Sequence, residues 1–137
     1  ITAMLQSLGD RAYGAERVAA SRDLNHVVAC LMDSADAWNN HAFLCRETGR
    51  FDDASASYAH ALEREPDSPQ LWNDAAVVLQ YHQPTPANLV RARSMYEKAR
   101  QLAAQVLADP KATPLVRQRA EEAARNAAAN LQELDKG

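Results

Sequence analysis

Four side chains in this 137-residue sequence have the types and spacing of metal ligands: His26 and Cys30, then His41 and Cys45. Each pair is four residues apart, which on a helix places both members on one face. Two such faces could offer two nitrogens and two sulfurs to a tetrahedral zinc ion. The competing reading is packing. Cysteine is among the most buried residue types, and the spacing alone is unspecific. Packing is the expectation, with no metal and no other cofactor. Glu63, Glu65 and Asp67 cluster around Arg64. Carboxylate catalysis needs a shaped pocket that separates their proton affinities, and a solvated helix end explains these residues without one. No Gly-rich phosphate loop, nucleophile elbow or His-Glu-x-x-His stretch occurs. The sequence gives no ground for an enzyme.

The bulk of the sequence bounds what those residues can serve. Hydrophobic residues make up 47% and charged residues 24%, with a formal charge of −3, so one ordinary globular domain is expected. No basic patch suited to nucleic acid stands out. The densest basic stretch, Arg91, Arg93, Lys98 and Arg100, is interrupted by Glu97 and reads as a solvated helix face. No run of about 18 apolar residues is present to span a membrane, and no signal peptide is visible. The two cysteines sit in apolar helical runs, which fits a reducing compartment and weakly favours the cytoplasm. The sequence opens on Ile1, which points to a piece of a longer protein.

The elements that position these residues are helices. Alanine dominates the apolar fraction, and only 4 glycines and 6 prolines punctuate the chain. Ser34 reads as an N-cap for a helix running to about Thr48, where Gly49 supplies the stop. A second helix starts near Asp52 and Asp53 and ends before Pro66. Ser68-Pro69, Thr85-Pro86 and Thr113-Pro114 repeat one start signal, a capping hydroxyl followed by proline in the first turn. Helices therefore begin near 35, 52, 69, 86 and 114. Upstream, Gly9 and Gly14 divide residues 1–33 into a helix around 2–12 and another from about 15 to 32.

Trp38 and Trp72 are 34 residues apart, as are Asn39 and Asn73, Ala42 and Ala76, and the caps Ser34 and Ser68. The first copy reads Trp38-x2-His41-Ala42-x2-Cys45, then Ala54-x3-Tyr58-x2-Ala61, then Pro66. The second reads Trp72-x2-Ala75-Ala76-x2-Leu79, then Ala92-x3-Tyr96-x2-Ala99. This pattern resembles the tetratricopeptide repeat, a pair of antiparallel helices. Cys45 and Leu79 replace the family's tyrosine, and His41 replaces an apolar residue. The second copy has four extra residues, read as an insertion in the turn within Gln83-Pro84-Thr85-Pro86-Ala87. Its second helix carries Leu89, Ala92, Tyr96, Ala99, Ala103 and Val106 at spacings of three and four. The last helix answers with Val116, Ala120, Ala123, Ala127, Leu131 and Leu134, forming an antiparallel hairpin that caps the stack.

The expected fold is all-α: an α-solenoid of antiparallel helix pairs with a long C-terminal capping helix. One domain spans 1–137: a degenerate repeat at 1–33 with Met4 at the tryptophan position, a repeat at 34–67, a modified repeat at 68–110, and the cap at 111–137. Within the repeat pattern His41 and Cys45 pack between helices, while His26 should face solvent. Trp38 and Trp72 pack inside the stack. Tyr81 and His82 are either inert surface or the rim of a site.

The resemblance implies a protein-binding module whose first helices line a concave groove for a partner's peptide or helix. Asn39, Phe43 and Arg46 form one stripe, and Asn73, Val77 and Gln80 are their equivalents. All six are expected to be exposed and to touch the partner. The lysines with which some family members hold acidic chaperone tails are absent from the matching faces. The alternative is a structural element that self-associates through the C-terminal hairpin. Nucleic acid and membrane insertion are not expected.

Overall fold

The computed structural model describes residues 3–136, with side chains from residue 14 onward, residue 15 excepted. Met4 lies outside the described side chains. Six helices and no strand occur among the described residues: α1 (Ala3–Met32), α2 (Ala35–Glu47), α3 (Phe51–Arg64), α4 (Pro69–His82), α5 (Pro86–Ala108) and α6 (Pro114–Lys136). The fold is all-α, as expected.

The capping hydroxyls start four of these helices. Ser34, Ser68, Thr85 and Thr113 each accept from the backbone N–H three residues on, at 3.2–3.3 Å. Gly49 ends α2 with φ +75°, a backbone angle that costs glycine nothing.

Two sequence expectations are corrected. Residues 3–32 form one continuous 30-residue helix, not two. An interior glycine weakens a helix by about 1 kcal/mol relative to alanine, too little to break it where its neighbours continue. The four extra residues of the second repeat do not lengthen the turn. Three residues join α2 to α3 and three join α4 to α5, so the connections are equal. The excess lies within helices. Six residues separate the start of α5 from Ala92, against three from the start of α3 to Ala54, and α4 ends one residue later than its counterpart. Thr85 and Pro86 nucleate α5 almost a turn early.

Neighbouring helices pack in sequence order, and α4 also packs on α6. The repeated alanines allow the close approach. Ala42, Ala54, Ala61, Ala76, Ala92 and Ala99 are all fully buried. Tyr58 and Tyr96 fill the spaces between them, one in each of two core clusters, and Met95 packs against both. Burial pushes the Tyr58 hydroxyl up to about 12. The capping hairpin buries Leu102 and Ala103 from α5 and Ala120, Ala123, Ala127 and Leu131 from α6, whereas Val116 is exposed.

Candidate functional site

The six-residue groove stripe does not remain a free surface. α6 lies across the far end of α4, and Asn130 is the hub of the contact. Its Nδ2 donates to Asn73 Oδ1 at 3.2 Å, its Oδ1 accepts from the Tyr81 hydroxyl at 3.2 Å, and its backbone carbonyl accepts from Gln80 Nε2 at 3.4 Å. Asn73 and Gln80 are therefore buried rather than exposed. The physical reason is length: an α6 of 23 residues reaches the α4 face that a shorter cap would leave open. Gln80 has a second internal task, accepting from the buried Tyr96 hydroxyl at 2.6 Å. Phe43 is exposed and carries the Arg46 guanidinium over its ring at 5.2 Å. Val77 is half-buried and packs against the second core cluster. Tyr81 is thus tied to α6, while His82 stacks on Phe51 at 4.1 Å between ring centroids.

What stays open is a cleft of about 320 Å³ bounded by α2, α4 and α6. Asn39 and Asn73 line it as the repeat register implied, and Asp36, Glu65, Asp74, Glu122 and Arg119 complete its charged lining. Four carboxylates face one guanidinium. Asp74, half-buried on α4, has the least internal support of these. Its side chain receives one long hydrogen bond, from Asn73 Nδ2 at 3.5 Å. None of the ion pairs among the described residues includes it. Burial raises its proton affinity, and Arg46 offsets this only in part. The six-residue stripe could not reveal Asp74, because the signal is a tertiary one: a carboxylate left without a cation.

The two His–Cys pairs meet at the α1–α2 contact. His26 does not simply face solvent: its Nδ1 lies 3.1 Å from His41 Nε2. Cys30 Sγ is 3.6 Å from His26 Nε2. Cys45 Sγ is 3.4 Å from His41 Nε2 and 3.9 Å from its Nδ1. A sulfur nearly equidistant from both ring nitrogens lies against the ring, not out along a lone pair where a shared metal would sit. No set of three or more His, Cys, Asp or Glu among the described residues is arranged to hold a metal ion. Burial also pushes the Cys45 thiol up, so it stays protonated and unsuited to nucleophilic work.

Trp38 is buried, with its indole N–H donating to Asp33 at 2.9 Å and its ring stacked on His60 at 4.3 Å. Trp72 is half-buried and donates to the Pro66 carbonyl at 2.7 Å. Both tryptophans anchor their helices to the preceding turn, one repeat apart. Residues 35–78 match the family profile of the tetratricopeptide repeat. The chain contains a tetratricopeptide repeat. The matched stretch covers α2, α3 and most of α4, the helices in which the 34-residue register is cleanest. No curated protein matches in sequence.

Solved structures extend the likeness beyond the matched repeat. PcrH, in complex with the chaperone-binding region of PopD, aligns with a TM-score of 0.67 at 23% identity, over 97% of this chain and 90% of that one. A type III secretion system complex from Aeromonas hydrophila aligns at 0.68 and 22%, over 97% and 79%. SycD, the type III secretion translocator chaperone of Yersinia enterocolitica, aligns at 0.58 and 16%, over 94% and 84%. At such identities the likeness is one of fold. No helix among the described residues is long and apolar enough to cross a membrane.

Proposed function

We infer that this chain is a protein-binding module that holds a basic segment of a partner protein in the cleft between α2, α4 and α6. The carrying observation is Asp74. A half-buried carboxylate without a paired cation costs stability, and it lies where the lining is already acidic. A lysine or arginine of the partner supplies the missing charge. Asn39, beside it, offers an amide that donates to and accepts from a peptide backbone. The fold supports the same reading, since PcrH is seen holding a region of PopD.

The test is Asp74→Asn, which keeps the shape and removes the charge. Peptides with a central Lys or Arg in an otherwise neutral sequence are titrated against both proteins. The variant is expected to melt higher than the parent yet bind such peptides at least about tenfold more weakly, the loss of one charged contact. Equal affinity in a more stable variant would move the site out of the cleft. Asn73 is left untouched, because changing it would also disturb the Asn130 contact.

Self-association is favoured by a different element from the one the sequence suggested. Leu24, Val27, Leu31 and Met32 are 52–80% exposed on α1. A second copy would use that face rather than the C-terminal hairpin. Sedimentation of Leu24→Gln with Leu31→Gln against the parent separates the two surfaces.

A further inference from the structure

α1 is fastened to the rest of the molecule mainly through α2. Its apolar anchorage is thin: Ala29 is the one α1 side chain in the buried core among those described, with Val28 packed beside it. Polar contacts carry much of the attachment. Arg22 Nη1 donates to Thr48 Oγ1 at 3.2 Å. More telling is a relay whose direction one backbone group decides. The Arg22 carbonyl can only accept, so His41 Nδ1, 3.0 Å away, carries a proton. His41 Nε2 is then bare and accepts from His26 Nδ1 at 3.1 Å. That leaves His26 Nε2 bare, facing the Cys30 thiol at 3.6 Å.

We propose that this relay is a pH-sensitive latch, holding α1 against α2 while His41 is neutral and releasing it when His41 takes up a second proton. The proton has one place to go, Nε2. Two N–H donors then oppose each other at the relay's centre, across a gap made for one hydrogen bond. Protonating His26 does not have this effect. The new proton sits on its Nε2, toward Cys30, and Nδ1 still donates to His41. The trigger therefore belongs to His41.

The surroundings oppose a charge on that ring. A cavity of about 460 Å³ beside it is lined by Arg22, Asp23 and His26 from α1, by Trp38 and Cys45 from α2, and by Arg50, Asp53, Ser57 and His60 at and along α3. Asp23 and Asp53 are already engaged, by Arg22 at 3.0 Å and Arg50 at 2.8 Å. Burial, partly offset by the Arg22 carbonyl, holds His41 below its ordinary proton affinity, and the neighbouring His26 adds to the depression. Once α1 detaches, His41 regains the affinity of a free imidazole. The undocked state then binds the extra proton more tightly, so docking weakens as the pH falls below about 6.5. One proton per event gives a limit of about tenfold more undocked molecules per pH unit. Asp33, also at this junction, is held by Arg64 and Trp38 below the usual carboxylate range and keeps its charge through this window.

Amide hydrogen exchange of the full chain between about pH 7.5 and 4.5 tests the latch, with opening constants obtained by dividing out the intrinsic exchange rates. Opening of residues 22–32 is expected to steepen below about pH 6.5 toward tenfold per unit, while α4 and α5 stay flat. His26→Gln, which keeps a donor facing His41, should retain the slope, and His41→Gln should lose it. Should His41→Gln fail to fold, the His41 ring resonances of the parent protein decide, since they must titrate below the free-histidine value and in step with α1 opening. A flat parent profile, an unchanged slope in folded His41→Gln, or a slope abolished by His26→Gln would each overturn the proposal.

Discussion

Tyr96 is fully buried, and its hydroxyl donates to Gln80 Oε1 at 2.6 Å. Gln80→Ala removes that acceptor and the bond to the Asn130 carbonyl together. Leaving a buried donor unmet costs about 1–3 kcal/mol, so the denaturation midpoint is expected to fall by that amount. A midpoint within about 0.3 kcal/mol of the parent would mean that water takes over the hydroxyl. Asp74 has the opposite sign. Burial raises its proton affinity in the folded state, so its charge destabilises the fold at neutral pH, and the penalty fades as the pH falls through its raised value. Asp74→Asn is expected to be the more stable protein at pH 7, with the gap closing in acid. A constant gap across that range would assign the effect to the amide's hydrogen bonds instead of the charge. Neither role was legible from residue type. Gln80 and Asp74 look alike as polar residues on one amphipathic helix, and only the α6 contact makes one internal while the cleft leaves the other without a cation.

At the scale of elements, helix starts were the most legible feature. A capping hydroxyl and a first-turn proline act within four residues, so tertiary context had little to override. Gly49 and Gly14 show where that locality fails. Gly49 has φ +75°, and Gly49→Ala is expected to cost about 1 kcal/mol. Gly14 is mid-helix, and a Cβ built there meets nothing within 4 Å. Gly14→Ala should therefore strengthen α1 by about 0.5–1 kcal/mol, read as slower exchange of its amides. If instead exchange quickens, the single-helix description of α1 is at fault. The same residue type stops one helix and passes unnoticed through another, because the backbone angle and not the glycine sets the outcome. The four extra residues misled for a related reason. Proline and threonine mark turns in general, but Thr85-Pro86 is also a helix start, and the chain used it as one.

For the whole molecule, α6 is both cap and wall. It buries Ala120, Ala123, Ala127 and Leu131 against α4 and α5, and it supplies Arg119 and Glu122 to the cleft. Deleting residues 111–137 uncovers the facing apolar surface, including Leu79 and Leu102, at roughly 25 cal/mol per Å². The shortened chain is expected to unfold at lower temperature and to self-associate, and to lose the cleft along with the cap. A monomer with an unchanged melting temperature would show that the hairpin is dispensable.

The sequence by itself determined the helical class, the 34-residue register and the faces that pack. Each follows from local propensity and from apolar residues recurring at helical spacing, so Ala54, Tyr58 and Ala61 could be matched with Ala92, Tyr96 and Ala99 before any coordinates. The tertiary structure alone decided which polar residues are free. Asn39 and Asn73 stand one repeat apart and look equivalent in sequence, yet only Asn73 is held by Asn130, 57 residues away. His26 and His41 likewise became partners only when two helices brought their rings together. Polar side chains on a helix surface carry no record of what will cover them, because covering depends on where distant segments pack and not on the spacing within one segment.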